Sequence, residues 1–76
     1  MNIKILGTGC TNCKKLEQNV RDAVKELGIS AEIEKVEDIK DIVKYGVMLT
    51  PALVVDEDVR SVGKVLTVDQ IMTLIR

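Results

Sequence analysis

The chain has 76 residues, 46% hydrophobic and 30% charged, with 11 basic and 12 acidic side chains, two Cys, no His, no Trp, no Phe and one Tyr. A chain this short supports one core, so residues 1–76 read as a single domain, and its 11 Val, 8 Ile and 7 Leu are too many for a disordered segment. Lack of His removes imidazole bases, Ser/His and Cys/His pairs and nitrogen-ligated zinc, while a net charge of -1 and one aromatic offer nucleic acid neither an electrostatic footprint nor a stacking platform.

Asn2 to Leu6 is aliphatic and ends at Gly7, which predicts a strand. Cys13, Leu16, Val20, Ala23, Val24 and Leu27 then recur at helical spacing with charged residues between them, predicting an amphipathic helix that Gly28 stops. Ala31 and Ile33 alternate with Glu32 and Glu34 as a half-exposed strand, parallel to the first because a helix makes the crossover. Ile39, Ile42 and Val43, between Asp38 and Gly46, suggest a short second helix. Ala52 to Val55 is continuously apolar and fits a central strand covered on both faces. Asp56, Glu57 and Asp58 turn into Val59 to Val62, an antiparallel hairpin without the Asn-Gly or Asp-Gly that usually marks one. Thr67 and Gln70 form a capping box opening a last helix whose inward face is Val68, Ile71, Met72 and Ile75. The order is βαβαββα, an α/β fold.

Lys4 and the Gly7-Thr8-Gly9 run do not resemble a secretory leader, and the uncharged stretch from Tyr45 to Val55 is shorter than the roughly 20 residues of a membrane helix. The expected setting is the cytoplasm, without membrane association. There a close Cys pair points to catalysis or metal binding before structure.

Cys10-Thr11-Asn12-Cys13 falls where the first strand meets the first helix. Cys10, placed in the first helical turn, would have its thiolate stabilised by unpaired N–H groups and the helix dipole, below the ordinary pKa of about 8.5. Lys14 and Lys15 add positive charge, whereas Cys13 lies on the buried stripe and should hold its proton longer. Cys10 is therefore expected to attack and Cys13 to resolve. The same spacing also suits half of a metal site or an inert packed pair; two Cys without His cannot close a tetrahedral zinc site within one chain, so zinc would need a homodimer or carboxylate ligands, and redox chemistry without a metal is the preferred reading. Thr50-Pro51 precedes the central strand, where Pro is tolerated as a strand starter. A cis bond there would leave the Thr50 backbone free to pair with an extended substrate.

The Cys-x-x-Cys at a helix start, the Thr-Pro before the third strand, and the hairpin followed by Gly63 and a terminal helix together resemble the thioredoxin superfamily. Gly7-Thr8-Gly9-Cys10-x-x-Cys13, Thr50-Pro51-Ala52-Leu53-Val54-Val55 and the later Gly63-Lys64-Val65 are similar to its small redox-active disulfide proteins over nearly the whole chain. The resemblance implies a thioredoxin-like, four-stranded mixed sheet with helices on both faces, cis Pro51 facing the Cys pair, and thiol-disulfide oxidoreductase activity. It also implies a monomer that needs no cofactor, substrate contacts at Thr50, Pro51, Thr11 and Asn12, and as partners protein disulfides and a thioredoxin-reductase-like electron donor.

Some positions depart from the superfamily pattern. Gly9 stands where thioredoxins carry Trp, Thr11-Asn12 where they carry Gly-Pro, and Lys4 is the sole ionisable group of a first strand that would otherwise supply a buried carboxylate. Ser61-Val62-Gly63 is a poor match to the glutathione grip of glutaredoxins. Heavy-metal-associated domains also place Cys-x-x-Cys after a first strand, so soft-metal binding is the alternative reading; their element order, ending in a strand, differs from the one here. Tyr45 reads as amphipathic packing with a solvated hydroxyl, Met48, close to Pro51, as core filler in preference to an apolar rim around the cysteines, Asp56, Glu57 and Asp58 as a solvated turn, and Glu37, Asp38 and Asp41 as helix-start and surface charges.

Overall fold

A computed structural model describes residues 1–75. The elements follow the order β1 (Asn2–Leu6), α1 (Thr11–Leu27), β2 (Glu32–Val36), α2 (Ile39–Lys44), β3 (Ala52–Val55), β4 (Asp58–Val62) and α3 (Val68–Ile75). The sheet order is β2-β1-β3-β4, with β1 parallel to β2 and antiparallel to β3, and β3 antiparallel to β4. The α/β, thioredoxin-like arrangement expected from the sequence is the one found.

The two-residue period of the central strands divides the core between the two sheet faces. Ile3 and Ile5 of β1 and Leu53 and Val55 of β3 meet Leu16, Val20 and Ala23 of α1 and Ile71 and Ile75 of α3. On the other face, Leu6, Ala52 and Val54 pack with Ile42 of α2 and Val47. All four residues of β3 are buried, as a strand sandwiched between helices must be. Val24, Leu27, Val68 and Met72 flank the first cluster only partly buried, because the helical stripes they belong to are wider than the contact. Gly28, at φ 63°, ends α1 in the left-handed conformation. Reciprocal bonds start α3: Thr67 N–H donates to Gln70 Oε1 at 3.0 Å and Gln70 N–H to Thr67 Oγ1 at 3.2 Å.

Two local readings change, those of Met48 and Tyr45, and α2, found where it was expected, is held to the sheet by a single side chain. Of the apolar residues of α2 only Ile42 is buried; Ile39 and Val43 are 66% and 61% exposed, since a helix of six residues can turn little more than one side chain toward the sheet. Met48 is not core: it is 94% exposed. Tyr45 does not leave its hydroxyl to solvent. It accepts a bond from Lys4 Nζ at 2.7 Å and donates to Glu57 Oε2 at 3.3 Å, while its ring is half-buried against the second core cluster.

The same contacts explain a hairpin that lacks the usual turn dipeptide. Asp56 and Glu57 both take positive φ, 48° and 70°, the conformation a two-residue turn between twisted strands needs and one that costs energy for a residue with a Cβ. β1 offsets that cost. Asp56 N–H donates to Asn2 O at 2.8 Å, Asn2 N–H donates to Asp56 Oδ1 at 2.8 Å, and Lys4 Nζ lies 2.7 Å from Glu57 Oε1.

The bond from Lys4 holds the Glu57 carboxyl below the usual carboxylate range. Glu57, and after it Tyr45, raises Lys4 above the ordinary lysine range. Glu57, depressed in the fold, contributes stability above its unfolded pKa and loses it as pH falls through the folded value. Lys4, raised, contributes below its unfolded pKa and loses it as pH rises through the folded value. The latch should thus have constant strength between about pH 5 and pH 10 and weaken on either side. Urea midpoints measured against pH should show a shallower acid limb in Lys4→Met than in the parent, and identical limbs would show that the latch does not support the fold.

Candidate active site

The chain leaves β1 through Gly7-Thr8-Gly9, and Gly9, at φ 86°, makes the reversal that brings Cys10 to the start of α1. Cys10 is extended (φ -68°, ψ 166°) and is the N-cap of α1, one position ahead of the first turn in which the sequence pattern put it. A sulfur there faces the free N–H groups of the helix start. Cys10 Sγ accepts a bond from Cys13 N–H at 3.2 Å, and Cys10 O accepts from Lys14 N–H at 3.0 Å to begin the helix.

Cys10 and Cys13 form a disulfide with Cα atoms 5.0 Å apart, yet their surroundings differ. Cys10 is exposed and so are Thr11 and Asn12, whereas Cys13 is 5% exposed. The N-cap position opens outward, and Cys13 begins the stripe that α1 lays on the sheet. Gly7 makes this burial possible. It extends the β1–β2 ladder by donating to Val36 O at 2.9 Å, and a Cβ at Gly7 would fall on Cys13 Sγ, 3.1 Å from Cys13 Cβ and 3.8 Å from Thr50 Cβ. The glycine is required for close approach, and it has Cys13 against it and Thr50 nearby.

Thr50-Pro51 is a cis peptide. Thr50 is exposed and Pro51 buried; Pro51 O accepts from Gly63 N–H at 2.8 Å, which ties the loop to the end of β4. Thr50 makes no backbone hydrogen bond among the described residues. Thr8 and Thr50 also line a groove whose apolar walls are Ile39, Ile42, Val43, Val47 and Met48, so the exposed Met48 is part of that groove's wall.

The chain matches the family model described as the thioredoxin domain over residues 1–76. The chain belongs to the thioredoxin family. It is 44% identical over 75 residues to a thioredoxin of Methanothermobacter thermautotrophicus (strain Delta H), covering 99% of this chain and 97% of that one. It is likewise 44% identical over 69 residues to a thioredoxin of Methanocaldococcus jannaschii, covering 91% and 79% of the two chains. This chain is a thiol-disulfide oxidoreductase, and the two cysteines of its Cys-x-x-Cys segment are joined as a disulfide.

Of the residues singled out in the sequence, Cys13 and Thr50 lie against Gly7, with Cys10 bonded to Cys13 and Pro51 joined to Thr50 by the cis bond. Thr11 and Asn12 lie on the exposed first turn of α1 beside the pair. Two things escaped the sequence pattern. One is the reason for Gly7, legible only when Cys13 Sγ is seen against it. The other is a set of charged residues near Cys13: Lys14 and Glu17 of α1, Lys35 of β2 and Glu37 line a cavity with Cys13, Ile5, Gly7 and Gly9. The spacing of four residues from Cys13 to Glu17 was the available signal. Among the described residues no group of three or more Cys, Asp or Glu is placed to hold a metal ion.

Gly7→Ala should destabilise the oxidised protein by about 1–3 kcal/mol, the usual cost of forcing a methyl into a packed site. Urea unfolding of the disulfide form measures it, and an unchanged midpoint would show that Cys13 has room to retreat.

Proposed function

We propose that Cys10 is the attacking thiol and Cys13 the resolving thiol of a reductant that passes electrons to protein disulfides. The observation that carries this reading is the contrast between an exposed N-cap cysteine and a buried one at the fourth position of the same segment. In the reduced protein the Cys13 N–H that now bonds Cys10 Sγ, with the positive end of α1, favours a Cys10 thiolate. That thiolate attacks a substrate sulfur, the substrate disulfide breaks, and its other sulfur leaves as a thiolate. Cys13, once ionised, attacks Cys10 Sγ and releases the second substrate thiolate. Two electrons have then left the dithiol for the substrate, and Cys10 and Cys13 are joined as in the structure.

Substrate binding falls to Thr50, Pro51, Thr11 and Asn12. The Thr50 backbone, which makes no backbone hydrogen bond among the described residues, can pair with an extended stretch beside the target disulfide. Residues flanking that disulfide would meet the groove of Ile39, Val43 and Met48. A thioredoxin-reductase-like electron donor restores the dithiol, and the chain acts as a monomer in the cytoplasm; no described helix is long and apolar enough to cross a membrane.

Cys13→Ser should accumulate a stable mixed disulfide through Cys10 when given a disulfide-containing protein, and Cys10→Ser should lose both turnover and trapping. Mass spectrometry of the adducts, with alkylation rates against pH, checks both and should show Cys10 ionising at lower pH than Cys13. Trapping through Cys13, or equal ionisation of the two thiols, would reverse or remove the assignment.

A further inference from the structure

With Cys13 as the resolving thiol, a reading on which the role of its neighbours rests, the second half of the reaction waits for that thiol to ionise. Cys13 is buried, and burial in apolar surroundings favours the neutral thiol. Its polar surroundings lie in the cavity of about 70 Å³ that it lines with Ile5, Gly7, Gly9, Lys14, Glu17, Lys35 and Glu37. β1 supplies no charge to that cavity. α1 supplies Lys14 and Glu17, β2 supplies Lys35, and the segment after β2 supplies Glu37. The other titratable neighbour is Cys10, bonded to Cys13 in the oxidised form.

Glu17 differs from the other three. It lies one helical turn beyond Cys13 on the same side of α1, and its side chain is 16% exposed, against 53% for Lys35; Lys14 and Glu37 are exposed residues. Solvent screens exposed charges strongly and this one less. Its two oxygens are also fixed. Oε2 accepts from Arg21 Nε at 3.1 Å and from Nη2 at 2.8 Å, and Oε1 lies 3.5 Å from Lys35 Nζ.

We infer that Glu17 is a positioning residue for the second half of the reaction: its fixed negative charge on the cavity lined by Cys13 holds down the thiolate form of that cysteine, with Arg21 and Lys35 offsetting part of the effect, and so sets how fast the mixed disulfide resolves. A like charge nearby disfavours a thiolate, and an opposite one favours it. Glu17 acts by its field and does not collect the Cys13 proton. Arg21 first, then Lys35, keep its carboxyl below the usual carboxylate range despite partial burial, which makes it a poor acceptor for a thiol proton. That proton goes to solvent. The Cys13 thiolate bonds to Cys10 Sγ, the bond from Cys10 to the substrate sulfur breaks, and the departing thiolate takes up a proton. The result is a lasting difference between the two thiols: Cys10 is ready to attack while Cys13 waits.

The test uses the full-length reduced protein and an aromatic disulfide that releases one coloured thiolate when Cys10 attacks and a second when Cys13 resolves. The pH midpoint of the second phase reports Cys13. Glu17→Gln should lower that midpoint by about 0.5–1 unit and speed resolution about three- to tenfold at pH values below it. Lys35→Met should raise the midpoint, and the double variant should return toward the parent. An unmoved midpoint in Glu17→Gln, or a slower second phase there, would overturn the inference; the slower phase would make Glu17 a proton acceptor. Lys35→Met leaves the Arg21 pair in place and predicts the opposite sign, so general destabilisation cannot imitate the pattern. If the parent's second phase survives Cys13→Ser, the resolving role itself fails, and that outcome is distinct from a normal second phase indifferent to Glu17.

Discussion

A sulfur is packed against a glycine at the point where α1 leaves the sheet, and the rest of the site depends on that contact. Cys13 has to be covered while Cys10, three residues earlier, has to stay open, and a helix start pressed onto the end of β1 separates the two. Without a side chain at Gly7, α1 can approach until Cys13 Sγ occupies the space a Cβ would need. Leu16, Val20 and Ala23, fully buried beneath it, hold the helix at that distance. The exposure of Cys10 therefore goes with the packing of Cys13.

The second constraint is that β3 is covered on both faces. Its neighbour β1 carries a lysine among apolar residues, and the protein uses that lysine's reach. Lys4 crosses to Glu57 and Tyr45 at the hairpin end, where two residues hold positive φ. This steadies the turn that positions β4. The end of β4 in turn holds Pro51 through Gly63 N–H. A surface ion pair of this sort contributes little on its own; its value here is that it joins the strand leading to Gly7 and the hairpin that follows Thr50-Pro51.

Much of this was legible in the order of residues. The stripe from Cys13 to Ala23, the unbroken apolar run of β3 and the Thr67–Gln70 box are local patterns whose period or spacing admits few structures, and each is found. Their geometry also brings Cys10 and Cys13 to a helix start and Thr50-Pro51 to a strand start. Readings that rested on one residue's usual behaviour fared worse. Met48 is apolar yet exposed, because it lies on the loop that rims the groove. Tyr45 binds Lys4 and Glu57 because the sheet brings together residues 41 and 12 positions from it. Cys10 caps α1 from outside the first turn, a boundary set by backbone angles that no periodicity reports.

The sequence by itself determined the elements, their order and the chemistry on offer: with two thiols and no imidazole, electron transfer has to proceed through sulfur. Local periodicity and composition carry that information because neighbours along the chain remain neighbours in a helix or strand. Tertiary structure alone decided why residue 7 must be glycine and that Glu17 and Lys35, far apart along the chain, share a cavity with Cys13. Those outcomes depend on close approach between segments distant in sequence, where a single methyl or charge changes the result and no local pattern records it.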